Sequence, residues 1–309
     1  MKIENFSRRR FIGTGMLAAA GMALASKTSF AGSLFADKPN SLINGVQIGV
    51  ITYSFRSMPG SVEQLLQYCK DCNINAIELM GEAAEAYAGA PKYTSGSTDF
   101  AAKMADWRMN VPMDKFIEIR KMYNDAGVKI YAWKPNALGA KNTDAEINYA
   151  FNAAHALGCT HVTVELPEDD ELTQRLGDKA AEHKIYVGYH AHTQATPTLW
   201  DTALRQSDYN AINLDIGHYV AGTGSSPIDF ILKNSDRIVS MHIKDRKFKN
   251  GPNAPWGQGD TPIKEVLALM KKKKYKFPAT IELEYNIPAG SDAVKEVIKC
   301  REYAKNALA

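Results

Sequence analysis

Four acidic or imidazole side chains stand at or near the ends of four of the five apolar runs in the second half of this chain. They are Glu165 in HVTVEL, Asp215 in AINLDIGH, His242 in RIVSMHIKD and Glu282 in ATIELEY. Each arrives where a strand-like run stops and a loop should begin. Three carboxylates and one imidazole converging on a single rim describe a divalent-metal site. That donor set suits Mn2+ first, with Mg2+, Co2+ or Zn2+ as alternatives. Open positions on such an ion accept two vicinal oxygens of a sugar. The ion polarises a carbonyl and stabilises an enediolate as a neighbouring C–H proton leaves. A carboxylate on either face can remove and return that proton, and Glu165 and Glu282 are the candidates for this step as well as for ligation.

The same strand ends carry further polar groups. Glu78, Lys134, His190 with His192, His218, Lys244 and Arg246 all follow apolar runs or lie within a few residues of one. Such a density of ionisable groups is hard to explain as core packing, because buried charges need partners. Glu78, Lys134, His190, His218 and Lys244 are therefore candidate substrate contacts.

Elements that would position these groups follow from periodicity. Eight β-branched or apolar runs fall at 46–52, 75–79, 129–133, 161–165, 185–190, 211–215, 238–243 and 280–284. Between them, segments at 61–72, 113–126, 143–157, 171–184, 197–206, 227–235, 262–275 and 291–308 show apolar spacing near 3.6. Eight strand-helix units predict an α/β fold, a closed (β/α)8 TIM barrel in a single domain. An open doubly wound sheet would need a glycine-rich phosphate loop after the first strand, and Thr52-Tyr53-Ser54-Phe55-Arg56 is not one. Long loops are expected after strand two (81–112) and strand seven (246–259). Trp107 on the first and Trp256 on the second suggest lids with aromatic rings over the CH faces of a sugar.

The N-terminus reads separately. Ser7-Arg8-Arg9-Arg10-Phe11 precedes an apolar, Gly- and Ala-rich stretch and two small-x-small sites, Ala23-Leu24-Ala25 and Ser29-Phe30-Ala31. This order predicts a twin-arginine export signal over 1–31, a catalytic domain over 32–309, and a periplasmic or otherwise exported protein. Residues 1–31 hold Lys2, Arg8, Arg9, Arg10 and Lys27 against Glu4. Without them 32 basic and 33 acidic residues remain, and the formal charge falls from +3 to −1. That balance leaves no electrostatic footprint for nucleic acid. No run in the mature part is long enough to span a bilayer; a homo-oligomer is left open. Cys69-Lys70-Asp71-Cys72 is a lone C-x-x-C on a helix, expected as two packed thiols.

Six markers in order, VEL around Glu165, YHAH at 189–192, LDIGH, MHIKD, WGQGD and IELEY, resemble the xylose isomerase-like TIM-barrel superfamily, in its exported sugar phosphate isomerase/epimerase branch. The resemblance implies one divalent metal held by Glu165, Asp215, His242 and Glu282, and a substrate-binding His218. It implies an Arg a few residues past the strand-seven His; Arg246 lies nearer than that spacing, and Lys244 is the alternative. The branch often reads His-Asn-His on strand five, where this chain has Ala191. Glu282 and Glu284 remain alternatives for the last ligand. The implied activity is isomerisation or epimerisation of a small carbohydrate. The alternative is a lyase cleaving 3-keto glycosides by β-elimination. A metal-assisted phosphodiester hydrolase would need more ligands and a basic surface. A non-catalytic sugar-binding protein would need no metal between opposed carboxylates.

Overall fold

Eight parallel strands close into a barrel in the computed structural model, which describes residues 38–309. The expected export signal, residues 1–31, lies outside the described residues. The strands are β1 (Val46–Ile51), β2 (Ala76–Met80), β3 (Lys129–Lys134), β4 (His161–Glu165), β5 (Tyr186–His190), β6 (Asn210–Asp215), β7 (Ile238–Ile243) and β8 (Ala279–Ile281). Each pairs in parallel with the next, and β8 closes the ring by pairing Ile281 with Val50 of β1. A two-residue strand, Leu42–Ile43, adds antiparallel to β1. The single (β/α)8 barrel read from the sequence is the fold observed, with residues 38–309 as one compact unit.

Around the strands run α1 (Val62–Asp71), α2 (Gly81–Tyr87), α3 (Phe100–Asn110), α4 (Asp114–Asp125), α5 (Asp144–Leu157), α6 (Asp170–His183), α7 (Asp201–Gln206), α8 (Ile216–Thr223), α9 (Ile228–Asn234), α10 (Ile263–Lys273) and α11 (Ala293–Leu308). Their starts are set by side chains that satisfy the free N–H groups of a first turn. Ser61 with Gln64 and Thr143 with Glu146 form reciprocal capping boxes, and Asp169 and Asp292 cap α6 and α11. Valine, isoleucine and leucine of the strands pack against the apolar stripes of these helices in one large core. No helix among the described residues is long and apolar enough to cross a membrane.

The segment 81–112 is not the open loop that its composition suggests, because α2 and α3 occupy most of it. Arg108 of α3 is buried between Glu85 (3.3 Å) and Glu146 (3.0 Å), and Tyr149 donates to the same Glu85. Removing one partner from such a buried network leaves an uncompensated charge, so this segment is tied to the helical layer and is not a free lid. Trp107 likewise packs edge-on against Tyr149, with ring centroids 5.6 Å apart.

All four thiols are buried and free. Burial, with Asp71 nearby, pushes the Cys72 thiol up to about 12. A thiol-reactive dye is therefore expected to label no cysteine in the native protein and all four after unfolding. Rapid native labelling of Cys69 or Cys72 would contradict this packing.

Candidate active site

Barrel enzymes do their chemistry at the C-terminal ends of the strands, and there the ionisable groups converge. Asp215 ends β6 and also caps α8: its Oδ1 accepts from the His218 backbone N–H at 2.7 Å. Its other oxygen is left for the site. His242 lies on β7, and Glu282 follows β8 directly. His190 ends β5. Donor atoms of His190, Asp215, His242 and Glu282 lie within 4.8 Å of one another, and all four residues are buried.

Three of these atoms, Asp215 Oδ2, His242 Nδ1 and Glu282 Oε2, are buried without a hydrogen-bond partner. Buried polar atoms are normally hydrogen-bonded, so three mutual neighbours without an aligned hydrogen bond are a donor set suited to a cation. Lys244 supplies charge but not full pairing. Its Nζ lies 2.8 Å from Asp215 Oδ2 and 2.6 Å from Glu282 Oε2. Its aligned hydrogen bond instead goes to Glu284 Oε2 at 2.6 Å, and His218 Nε2 lies 3.0 Å away.

The electrostatics favour the same reading. Burial disfavours the His242 imidazolium, but Glu78 and Glu282 on either side outweigh it and hold its pKa near about 10. Burial alone would raise the Glu282 carboxyl, yet Lys244 and His242 hold it well below the usual carboxylate range. Four carboxylates, of Glu78, Asp215, Glu282 and Glu284, thus surround Lys244 and His242, and a cation ligated by His242 would take the place of the proton that they hold on the ring. The excess of negative charge suits a divalent cation. His190 is the opposite case: burial, then the His242 and Lys134 charges, push its pKa down to about 3. A neutral imidazole is the form that ligates. His190 Nδ1 meets Asn213 Oδ1 at 2.8 Å, which leaves Nε2, 4.0 Å from Asp215 Oδ2, facing the cluster. The residues present therefore fit a divalent cation.

Glu165 departs from the expected quartet. Its half-exposed side chain turns to Lys134 Nζ at 2.7 Å, with His192 Nε2 at 3.6 Å from its other oxygen. His190 stands in its place among the clustered donors. Burial would raise the Glu165 carboxyl, but the Lys134 ammonium beside it outweighs burial and holds it below its usual value. Of the two alternatives at the last position, Glu282 joins the cluster and Glu284 pairs with Lys244 beside His218.

Several candidate substrate contacts are placed otherwise. Glu78 is fully buried, so it offers nothing to a substrate. Its Oε2 meets His242 Nε2 at 2.8 Å and its Oε1 accepts from Thr163 at 2.6 Å. Arg246 is bound by two nitrogens to the Gly251 carbonyl, while Nη1 reaches His218 Nδ1 at 2.7 Å. His218 is kept neutral by burial and by Lys244, with its pKa pushed down to about 3. Lys244 is buried within the cluster and not on its surface.

The segment 246–259 is pinned and does not swing as a free loop. Asp245–Arg246 pairs with Asn253–Ala254 as a short hairpin. Asp245 then accepts from the backbone N–H groups of Gly257, Gly259 and Thr261 at 2.7, 2.9 and 3.1 Å. A Cβ on Gly259 would collide with the Asp245 carboxylate. This explains why MHIKD and WGQGD occur together. Trp256 packs edge-on against Tyr303 of α11, centroids 5.8 Å apart. A cavity of about 1050 Å³ opens at the opposite mouth of the barrel, lined by strand-start residues such as Lys129, Tyr186 and Ile238, away from the clustered donors.

Asn213, Thr163 and Ser240 are the functional neighbours that residue-type reasoning missed. A signal was present: each lies two residues before a strand-end group (Asp215, Glu165, His242), hence on the same face of its strand.

A family model described as xylose isomerase-like TIM barrel matches residues 66–303. Among curated proteins, none matches the chain. A solved sugar phosphate isomerase/epimerase from Parabacteroides distasonis is similar, with TM-score 0.60 and 18% identity over 88% of this chain and 97% of that one. A probable 3-DHS dehydratase, AsbF, from Bacillus anthracis has TM-score 0.62 and 15% identity, covering 83% and 98% of the two chains. The 3-keto-D-glucoside 4-epimerase YcjR from E. coli has TM-score 0.60 and 12% identity, covering 84% and 99%. At these identities the likeness is one of fold.

Proposed function

Because this chain belongs to the xylose isomerase-like TIM-barrel family, we propose that it is a divalent-metal-dependent enzyme that isomerises or epimerises a small carbohydrate by removing a proton next to a carbonyl. The observation that carries this reading is the trio of buried donor atoms without an aligned hydrogen bond, Asp215 Oδ2, His242 Nδ1 and Glu282 Oε2, at the C-terminal mouth of the barrel. These residues would hold the cation, with His190 as the fourth donor. The mixed nitrogen and oxygen set is compatible with Mn2+ first, and with Co2+, Zn2+ or Mg2+. When bound, such a cation polarises a carbonyl and offsets the negative charge that builds on its oxygen.

Proton movement falls to the chain's own groups. Glu165 is open to the rim and held in its ionised form by the Lys134 ammonium, which suits it to take the proton and return it. Lys134 orients that carboxylate through its 2.7 Å contact. His218, whose Nε2 lies 3.0 Å from the buried Lys244 Nζ, is the proposed polar contact for a substrate hydroxyl on the other side.

Incubation of the Mn2+-loaded protein with ketoses, aldoses and 3-keto glycosides in D2O tests this directly. The parent is expected to incorporate deuterium at the carbon next to the carbonyl. Glu165→Gln should lower that exchange by roughly 10²–10⁴-fold, the usual contribution of a general base. No exchange with any sugar, or parental exchange in the variant, sinks the reading.

A second outcome at the same site is elimination from a 3-keto glycoside, a substrate class that the fold-level likeness to a 3-keto-D-glucoside 4-epimerase puts on the panel. Lys134 and His192, both beside Glu165, would be the proton donors to the leaving group. Isomerisation conserves substrate mass, whereas elimination releases the C1 substituent. Export by the twin-arginine route, with a periplasmic site of action, is proposed from residues 1–31 alone.

A further inference from the structure

Beneath the clustered donors lies a buried layer that never reaches the rim. Glu78 is fully buried and has both oxygens engaged, one by Thr163 and one by His242. A carboxylate that accepts from His242 Nε2 at 2.8 Å requires the proton on that nitrogen. The other nitrogen, Nδ1, then faces Glu282 at 3.2 Å with no hydrogen bond of its own. Asn213 does the same for His190: its oxygen meets Nδ1, while its amide donates to Ser240 Oγ at 2.7 Å. The barrel ladder is irregular at both places. The β2–β3 register shifts at Glu78 and the β6–β7 register at Asn213. Such bulges re-aim side chains near active sites.

We infer that Glu78 is a positioning residue: it fixes the His242 ring so that Nδ1 is the nitrogen offered to a divalent cation, and Thr163 fixes Glu78. This inference deepens the metal-dependent reading above and rests on it. Carboxylates behind a ligating imidazole tune cation affinity by about 10–100-fold.

Zn2+, a diamagnetic probe, titrated into the EDTA-stripped full chain gives the affinity. Glu78→Leu removes the acceptor, and Zn2+ binding should weaken by about 10–100-fold. Glu78→Gln keeps an amide oxygen toward His242 and should lie between Glu78→Leu and the parent. A second readout uses ¹⁵N-histidine labelling of the metal-free protein. The parent should show a protected imidazole Nε2–H resonance that Glu78→Gln retains and Glu78→Leu loses. A purely structural role would lower the melting temperature of both variants without changing the Zn2+ affinity of the folded fraction. Parental affinity in folded Glu78→Leu overturns the inference; if that variant does not fold, parental affinity in Glu78→Gln does so. Absence of a protected imidazole N–H in the parent overturns it too. A parent that binds no Zn2+ at all instead removes the metal-dependent reading itself.

Discussion

Asp215→Asn is expected to abolish cation binding and to lower turnover by roughly 10²–10⁴-fold, while leaving the fold nearly untouched. The two oxygens of Asp215 do different work. Oδ1 caps α8 through the His218 N–H, and Oδ2 is one of the three clustered donors without an aligned hydrogen bond. Asparagine caps a helix about as well as aspartate, so the cap survives. The substitution removes the negative charge facing the site. A cation acting on a carbonyl supplies several kcal/mol of stabilisation to the developing charge, and each 1.36 kcal/mol is tenfold in rate. Asp215→Ala loses the cap as well and should cost a further ~1 kcal/mol of stability. Thermal melts, Zn2+ titration and deuterium exchange on the two variants separate these effects. An Asp215→Asn protein that binds cation like the parent would remove Asp215 from the ligand set.

Lys244→Met is expected to destabilise the metal-free protein by about 3–5 kcal/mol, the range for removing one partner from a buried ion group, and to make its stability depend on divalent cations. Lys244 is the only ammonium within 4 Å of Asp215, Glu282 and Glu284 among the described residues. Removing it leaves three carboxylates crowded in a buried site. A divalent cation would then relieve that repulsion without displacing an ammonium. A cation that binds only the folded state adds about 2.7 kcal/mol at a concentration 100 times its Kd. The variant should therefore melt well below the parent in EDTA and recover much of the difference in Mn2+. The parent should gain less from the same Mn2+. Equal gains in the two proteins would show that Lys244 and the cation do not share these oxygens.

Much of the barrel was legible because its signals are local. A strand announces itself by a run of apolar residues and a helix by a repeat near 3.6, and both appear eight times in alternation. That Glu165, Asp215, His242 and Glu282 stand at or beside strand ends was legible for the same reason. The helices α2, α3 and α8 were not. Segment 81–112 is rich in small and polar residues, and α3 is held through the buried Arg108–Glu85–Glu146 network, whose partners lie far apart in the chain. The expected lids fail on the same ground: Trp107 and Trp256 are claimed by Tyr149 and Tyr303. Asp245 looked like part of a motif for chemistry, but its carboxylate is spent on three backbone N–H groups.

The sequence by itself determined that ionisable residues would gather at one mouth of an eight-stranded barrel, because strand ends and their period of two are properties of short segments. Only the tertiary structure decided which of them meet. His190 and not Glu165 joins Asp215, His242 and Glu282, because Lys134 holds the Glu165 carboxylate 2.7 Å away at the rim. Lys244 turns into the carboxylates, and Glu78 sits beneath His242, where register shifts reshape the barrel wall. Such choices depend on distances of a few ångströms between residues as many as 164 positions apart. Local pattern carries no record of them.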